Sequence, residues 1–325
     1  MKADFNTIRA ITVGAVRVWE TADGVRFSRF TKEENTKISA YSKFVHRMAQ
    51  TLTDVRLDFY TDARAISFML AKGNVVDVWL NGVFRQTVHC ETLRDKGESA
   101  VRIPLVDPLG APYEKTRVTI WFPINQNATL AFLDAEGASY VRPIEYKRRL
   151  LFLGDSISVG WKCRVESTSF TSRLTRFFDA DSLNCSLSCG FFSPALIGPN
   201  GYRPDAITIT LGTNDFTHWD SFGAFYENCT AYLDKVRALY PNVPTVVITP
   251  IIRLDNARRP IGTFAEVRKT IADEAKKRGM FVVDGFSLFP ADESFFAGDG
   301  VHPNDLGFNE FSLALIPQLQ KILRW

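Results

Sequence analysis

The residues best suited to chemistry begin with Gly154-Asp155-Ser156, at the end of the apolar run Leu150-Leu151-Phe152-Leu153. A serine hydroxyl becomes a nucleophile only when a base removes its proton, and histidine does that near neutral pH. The chain has four histidines, His46, His89, His218 and His302. His218 could line the pocket, but His302 has the carboxylate most clearly placed to orient it: Asp299 lies three residues earlier across Gly300 and Val301. A tight turn of that length can bring an aspartate to the second ring nitrogen, fixing the tautomer and stabilising the imidazolium. The anionic tetrahedral intermediate needs N–H donors. Asn214, in Gly212-Thr213-Asn214-Asp215, offers a side-chain amide, Ser156 its own N–H, and Gly190, in Ser188-Cys189-Gly190-Phe191-Phe192, a backbone amide. Together these are the parts of an acyl-transfer site. Asp155 adjoins the nucleophile and is read as structural, and Asp215 as a brace for its own loop.

These residues are far apart in sequence, so the fold must gather them. From Arg149 onward strands and helices alternate. Strands are expected at 150–153, 181–187, 205–211, 243–249 and 280–284, and helices at 167–180, 222–240, 264–278 and 306–323. Such alternation implies a parallel sheet covered on both faces, with right-handed crossovers. Every strand's carboxyl end then lies on one edge, where open α/β sheets bind ligands. Ser156, the Cys189–Gly190 loop, Asn214 and His302 all follow strands, so they converge there.

Residues 1–146 read instead as β. Short runs rich in Val, Ile and aromatic residues recur over 12–20, 55–60, 75–80, 83–88, 99–104, 117–123, 128–133 and 138–142. Asn81-Gly82 between two of them signals a hairpin, because both turn positions need positive φ. The expectation is an antiparallel β-sandwich of jelly-roll type, with His46 and His89 inside it and away from chemistry. The expected domains are 1–146 and 147–325, joined by the short stretch Pro143 to Arg149.

At 325 residues with 46% apolar composition, the chain can bury two cores and is not a disordered polymer. A formal net charge of +3 without a basic run argues against nucleic acid as the main partner. No apolar run approaches membrane-spanning length. The five cysteines, Cys90, Cys163, Cys185, Cys189 and Cys229, are odd in number and lack metal-ligand spacing. Reduced thiols in the cytoplasm are the expectation, with no basic-then-apolar leader in the first residues.

Gly154-Asp155-Ser156, Gly190, Gly212-Thr213-Asn214-Asp215 and Asp299-Gly300-Val301-His302-Pro303 resemble, in order, the four blocks of the SGNH (GDSL) hydrolases. The resemblance spans 149–325. It implies a flavodoxin-like three-layer α/β/α domain and serine ester hydrolysis without metal or cofactor. Carried over, it makes Ser156 the nucleophile, His302 the base, Asp299 its orienter, and Ser156, Gly190 and Asn214 the oxyanion donors. One departure matters: Cys189 stands where the family's second-block glycine is expected, so the third donor is the amide of either Cys189 or Gly190. A β-sandwich before such a domain is similar to acetyl-xylan-type carbohydrate esterases. That similarity implies removal of a small acyl group, acetyl, from a carbohydrate or other hydroxylated partner. Trp161, Phe191 and Trp219 are candidates to stack on a sugar ring, with core packing the competing reading. Transfer of the acyl group to another acceptor, or carbohydrate binding without catalysis, are the alternatives. Oligomeric state is left open.

Overall fold

A computed structural model describes residues 1–91, 100–107, 109–111 and 113–325. By internal contacts the chain divides into two compact units. The first comprises Met1–Arg29, Gln50–Lys147 and Val165–Ser167; the second Phe30–Ala49, Arg148–Arg164 and Thr168–Trp325. A single cut at 146/147 therefore does not describe the chain, because residues 30–49 leave the first unit for the second.

The first unit is built of two antiparallel sheets. One runs β1 (Thr12–Val13), β4 (Arg56–Thr61), β9 (Thr116–Trp121), β6 (Val75–Leu80), β7 (Val83–His89), with β11 (Val141–Pro143) paired to β4. The other runs β2 (Arg17–Thr21), β3 (Gly24–Ser28), β10 (Thr129–Glu136), β5 (Ala65–Lys72), β8 (Val101–Pro104). Leu57, Phe59, Val118 and Ile120 of one sheet share a core with Phe27, Ile66, Phe68 and Leu133 of the other, which makes a sandwich. The Asn81-Gly82 hairpin forms as expected: both residues have positive φ, 51° and 78°, and Leu80 pairs with Val83. Ser99, the expected start of β8, lies outside the described residues. His89 is exposed on β7.

Helices are the departure from the all-β expectation. Helix α1 (Phe5–Ile11) precedes β1, and α2 (Lys32–Tyr41) and α3 (Lys43–Ala49) follow β3. Thr31 and Glu34 close a capping box on α2, each side chain bonded to the other's backbone N–H. Ile38, Val45 and Ala49 of this helical pair pack with Phe30, Leu187 and Leu196. His46 is thus on a helix of the second unit, not in the sandwich.

The second unit is a five-stranded parallel sheet, β13-β12-β14-β15-β16, comprising Asp181–Asn184, Arg149–Gly154, Ala206–Thr210, Thr245–Ile248 and Phe281–Val283. In order of the chain this is 2-1-3-4-5, the flavodoxin-like winding. Long helices cover it: Phe170–Phe177, Phe222–Leu239, Phe264–Lys277 and Asp305–Leu323. Every residue of β14 and β15 is buried, as strands covered on both faces require. All five cysteines are free. No helix among the described residues is long and apolar enough to cross a membrane.

Candidate active site

The strand β12 ends at Gly154, where a Cβ would lie 2.3 Å from Ser158 Oγ and 2.9 Å from the Thr210 carbonyl oxygen. Only glycine permits that crossing. Asp155 then N-caps the short helix Ser156–Val159, accepting from Ile157 N–H. Ser156 is the first helical residue, 5% exposed, at the carboxyl end of the sheet.

His302 comes to it from the turn before the closing helix. Ser156 Oγ and His302 Nε2 are 2.8 Å apart, and His302 Nδ1 is 2.8 Å from Asp299 Oδ2. The other carboxylate oxygen, Oδ1, accepts from Val301 N–H and His302 N–H at 3.0 and 2.9 Å. Burial works to raise the Asp299 pKa, but these bonds and the imidazole outweigh it and hold the carboxyl below its ordinary value. The hydroxyl, imidazole and carboxylate stand in one hydrogen-bonded row.

On the donor side the sequence leaves the third amide to either Cys189 or Gly190. Gly190 N–H is committed to the Leu187 carbonyl at 2.7 Å, so it is not available to a ligand. Cys189, at φ 61°, occupies the left-handed position of that turn, and its N–H has no acceptor among the described residues. The same holds for Ser156 N–H, which as the first amide of its helix has no intrahelical acceptor. Gly190 contributes through its carbonyl, which accepts from Asn214 Nδ2 at 2.8 Å. A Cβ on Gly190 would stand 2.7 Å from the Leu187 oxygen and 3.2 Å from that of Gly154. One amide hydrogen of Asn214 thus anchors it to the neighbouring loop and the second is spare.

Asp215 braces more than its own loop. Its Oδ1 accepts from Phe192 N–H at 3.0 Å and Trp219 Nε1 at 2.9 Å, which ties the Cys189–Phe192 loop to the Asn214 loop. Asp155 and Asp215 are both fully buried, and burial pushes each carboxyl up to about 7, with mutual repulsion adding to the effect on Asp155. The fold therefore favours their protonated forms. Their contribution to stability is complete below the ordinary value of 3.8 and is lost as pH rises toward about 7. Asp215→Asn should keep the acceptor and abolish the titration. The melting-temperature difference, wild type minus Asp215→Asn, should fall between pH 4 and pH 8. The loss for one such carboxyl is on the order of 4 kcal/mol. A difference that stays flat across that range would contradict the account.

Two groups escaped the sequence reading. Arg253, after β15, donates from Nη1 to the Thr213 carbonyl at 2.9 Å, beside Asn214. The next residue, Leu254, donates its N–H to Gly300 at 2.7 Å, inside the Asp299–His302 turn. The loop 253–254 therefore links the donor side of the site to the His302 side, and no sequence motif announces it. The second is Tyr41 of α2, whose ring lies 6.1 Å from that of Phe191. Phe191 stacks on His218 at 3.7 Å and meets Trp219 edge-on at 5.4 Å. Trp161 is half-buried and makes no ring contact with this cluster, while Phe192 is fully buried against Tyr232.

Residues 152–309 match the model of the GDSL-like Lipase/Acylhydrolase family. Among curated protein sequences, none matches this chain. Solved structures match most or all of it. The salicylyl-acyltransferase SsfX3 from a tetracycline biosynthetic pathway superposes with a TM-score of 0.79 at 19% identity, covering 95% of this chain and 94% of that one. The acetyl xylan esterase Est2A from Butyrivibrio proteoclasticus gives 0.66 at 13% identity, over 100% and 99%. A family two carbohydrate esterase from Clostridium thermocellum, in complex with cellohexaose, gives 0.62 at 16% identity, over 83% and 92%. At such identities the likeness is one of fold.

Proposed function

We propose that the protein is a serine esterase that removes a small acyl group, acetyl, from a hydroxylated carbohydrate. The observation that carries this reading is the row from Ser156 Oγ through His302 to Asp299, with 2.8 Å at both steps. In the proposed route His302 Nε2 takes the Ser156 proton as Oγ attacks the ester carbonyl. The tetrahedral oxyanion is met by the N–H groups of Ser156 and Cys189 and by the spare Asn214 amide hydrogen. His302 returns the proton to the departing alcohol, leaving an acetyl-Ser156 ester. Water, deprotonated by His302, then attacks that ester, and acetate leaves with Ser156 restored. Asp299 holds the imidazole in the tautomer that leaves Nε2 free to accept.

The carbohydrate part of the reading is supported by the folds of the acetyl xylan esterase and the cellohexaose-bound esterase, and by the aromatic residues around Phe191. A second reading has its own observation, the 0.79 superposition on a salicylyl-acyltransferase. The same acyl-enzyme would then pass its acyl group to an alcohol rather than to water.

The test is a fluorophosphonate probe followed by an acetate-release screen over acetylated sugars. A single adduct on Ser156, with free acetate as product, is the expected result. Ester products in the presence of added alcohols would favour transfer. An unlabelled Ser156 would leave only a carbohydrate-binding role without catalysis.

A further inference from the structure

We propose that Tyr41, His218 and Trp219, gathered around Phe191, form a subsite for the pyranose ring of the ester's alcohol part. This rests on the esterase reading and adds which part of the substrate is held, and by what. Both donor segments lead directly into the cluster. Phe191 is two residues beyond Cys189, a chain distance of at most about 7 Å. His218 and Trp219 follow Asn214 across the helix Asp215–His218, whose four residues rise only about 6 Å. The aromatic surface therefore starts within one sugar ring's breadth of the oxyanion donors.

Its internal geometry is fixed. The imidazole of His218 lies over the Phe191 ring, inclined by 22°, and Trp219 stands nearly perpendicular to both, at 89° and 82°. The bond from Trp219 Nε1 to Asp215 locks the indole. Tyr41 closes another side, its hydroxyl bonded to Ser193. The capping box and the apolar packing of α2 and α3 hold it there.

The surface is open: Tyr41 is 44% exposed, His218 is exposed and Trp219 half-buried, over a buried Phe191. An open platform suits the part of an ester that extends toward solvent, which is the alcohol; a small acyl group needs no such area. Partial burial lowers the His218 pKa, against the raising effect of Asp220, and so favours the neutral imidazole. Neutral aromatic faces with polar rims match a pyranose, apolar on its C–H faces and hydroxylated at its edge. The helical pair carrying Tyr41 is thereby a specificity element drawn from the N-terminal part of the chain.

The experiment compares kcat/KM for an acetylated methyl glucopyranoside with that for glyceryl monoacetate, which has no ring. In Tyr41→Ala and in His218→Ala the ratio of the two should fall about 2- to 10-fold, the range set by one lost ring contact, and KM should carry the change. Tyr41→Phe keeps the ring and should restore the ratio, which separates ring loss from misfolding. An unchanged ratio in both alanine variants overturns the subsite. So does a loss confined to ethyl benzoate, which would place the aryl acyl group there instead. A Ser156 that takes no fluorophosphonate removes the esterase reading and the subsite with it. A labelled Ser156 with an unchanged ratio removes the subsite alone.

Discussion

Ser156→Ala is expected to lower kcat for p-nitrophenyl acetate by a factor of roughly 10⁴ to 10⁶ while leaving the melting temperature close to wild type. The substitution deletes one oxygen atom, whose partner in the structure is His302 Nε2. What positions the segment does not use that atom: the cap comes from Asp155 Oδ1 to Ile157 N–H, and the strand end is set by Gly154. The backbone N–H of residue 156 also survives, as do Cys189 and Asn214. Any residual rate should therefore reflect oxyanion stabilisation of attack by water, without a burst and without an acyl-enzyme. Intact-protein mass spectrometry under turnover would show this directly, because the wild type should carry an acetyl adduct and the variant none. Turnover by the alanine variant within tenfold of wild type would remove Ser156 from the chemistry.

The parallel sheet was legible from the alternation of strands and helices after Arg149, and above all from β12, whose run Leu150–Leu153 is apolar on both faces and ends at Gly154. The hairpin at Asn81-Gly82 was legible because its turn demands two positive φ values that few residue pairs adopt. The helical pair 32–49 was missed for a physical reason. The buried residues of α2 are Glu34 and Ile38 alone, so its sequence shows no apolar stripe of helical period. The signal that existed was the capping pattern Thr31-Lys32-Glu33-Glu34. Because that pair packs on Leu187 and Leu196, a boundary drawn from composition alone left it in the wrong unit.

The same distinction runs through the site. Ser156, Asp299 and His302 could be read from residue type and spacing because a three-residue separation on a turn limits where the carboxylate can go. Which amide faces a ligand could not be read, since it depends on where Gly190 N–H is spent, and the Leu187 carbonyl spends it. Cys189 is also an uncommon choice at positive φ, where glycine would be unstrained. Arg253 and Tyr41 reach the site through tertiary contacts alone, and nothing in their local sequence marks them.

Asp299→Asn should be more damaging than Asp299→Ala, lowering kcat by roughly 10⁴. The order follows from how the carboxylate is held. Oδ1 is fixed by two backbone donors, Val301 N–H and His302 N–H, and those require an acceptor. In the asparagine variant the carbonyl oxygen must occupy that position, so the amide NH₂ replaces Oδ2 and points at His302 Nδ1. A donor there stabilises the tautomer protonated on Nε2. That nitrogen then offers a hydrogen to Ser156 Oγ and cannot accept one, so the base is lost although every heavy atom stays in place. Alanine leaves the imidazole free to adopt either tautomer, so a fraction remains competent and the loss is smaller. Both variants keep Ser156, but fluorophosphonate labelling should slow more in asparagine than in alanine. Equal losses in the two would mean that Asp299 acts by its charge alone, and a larger loss in alanine that it acts by holding the turn.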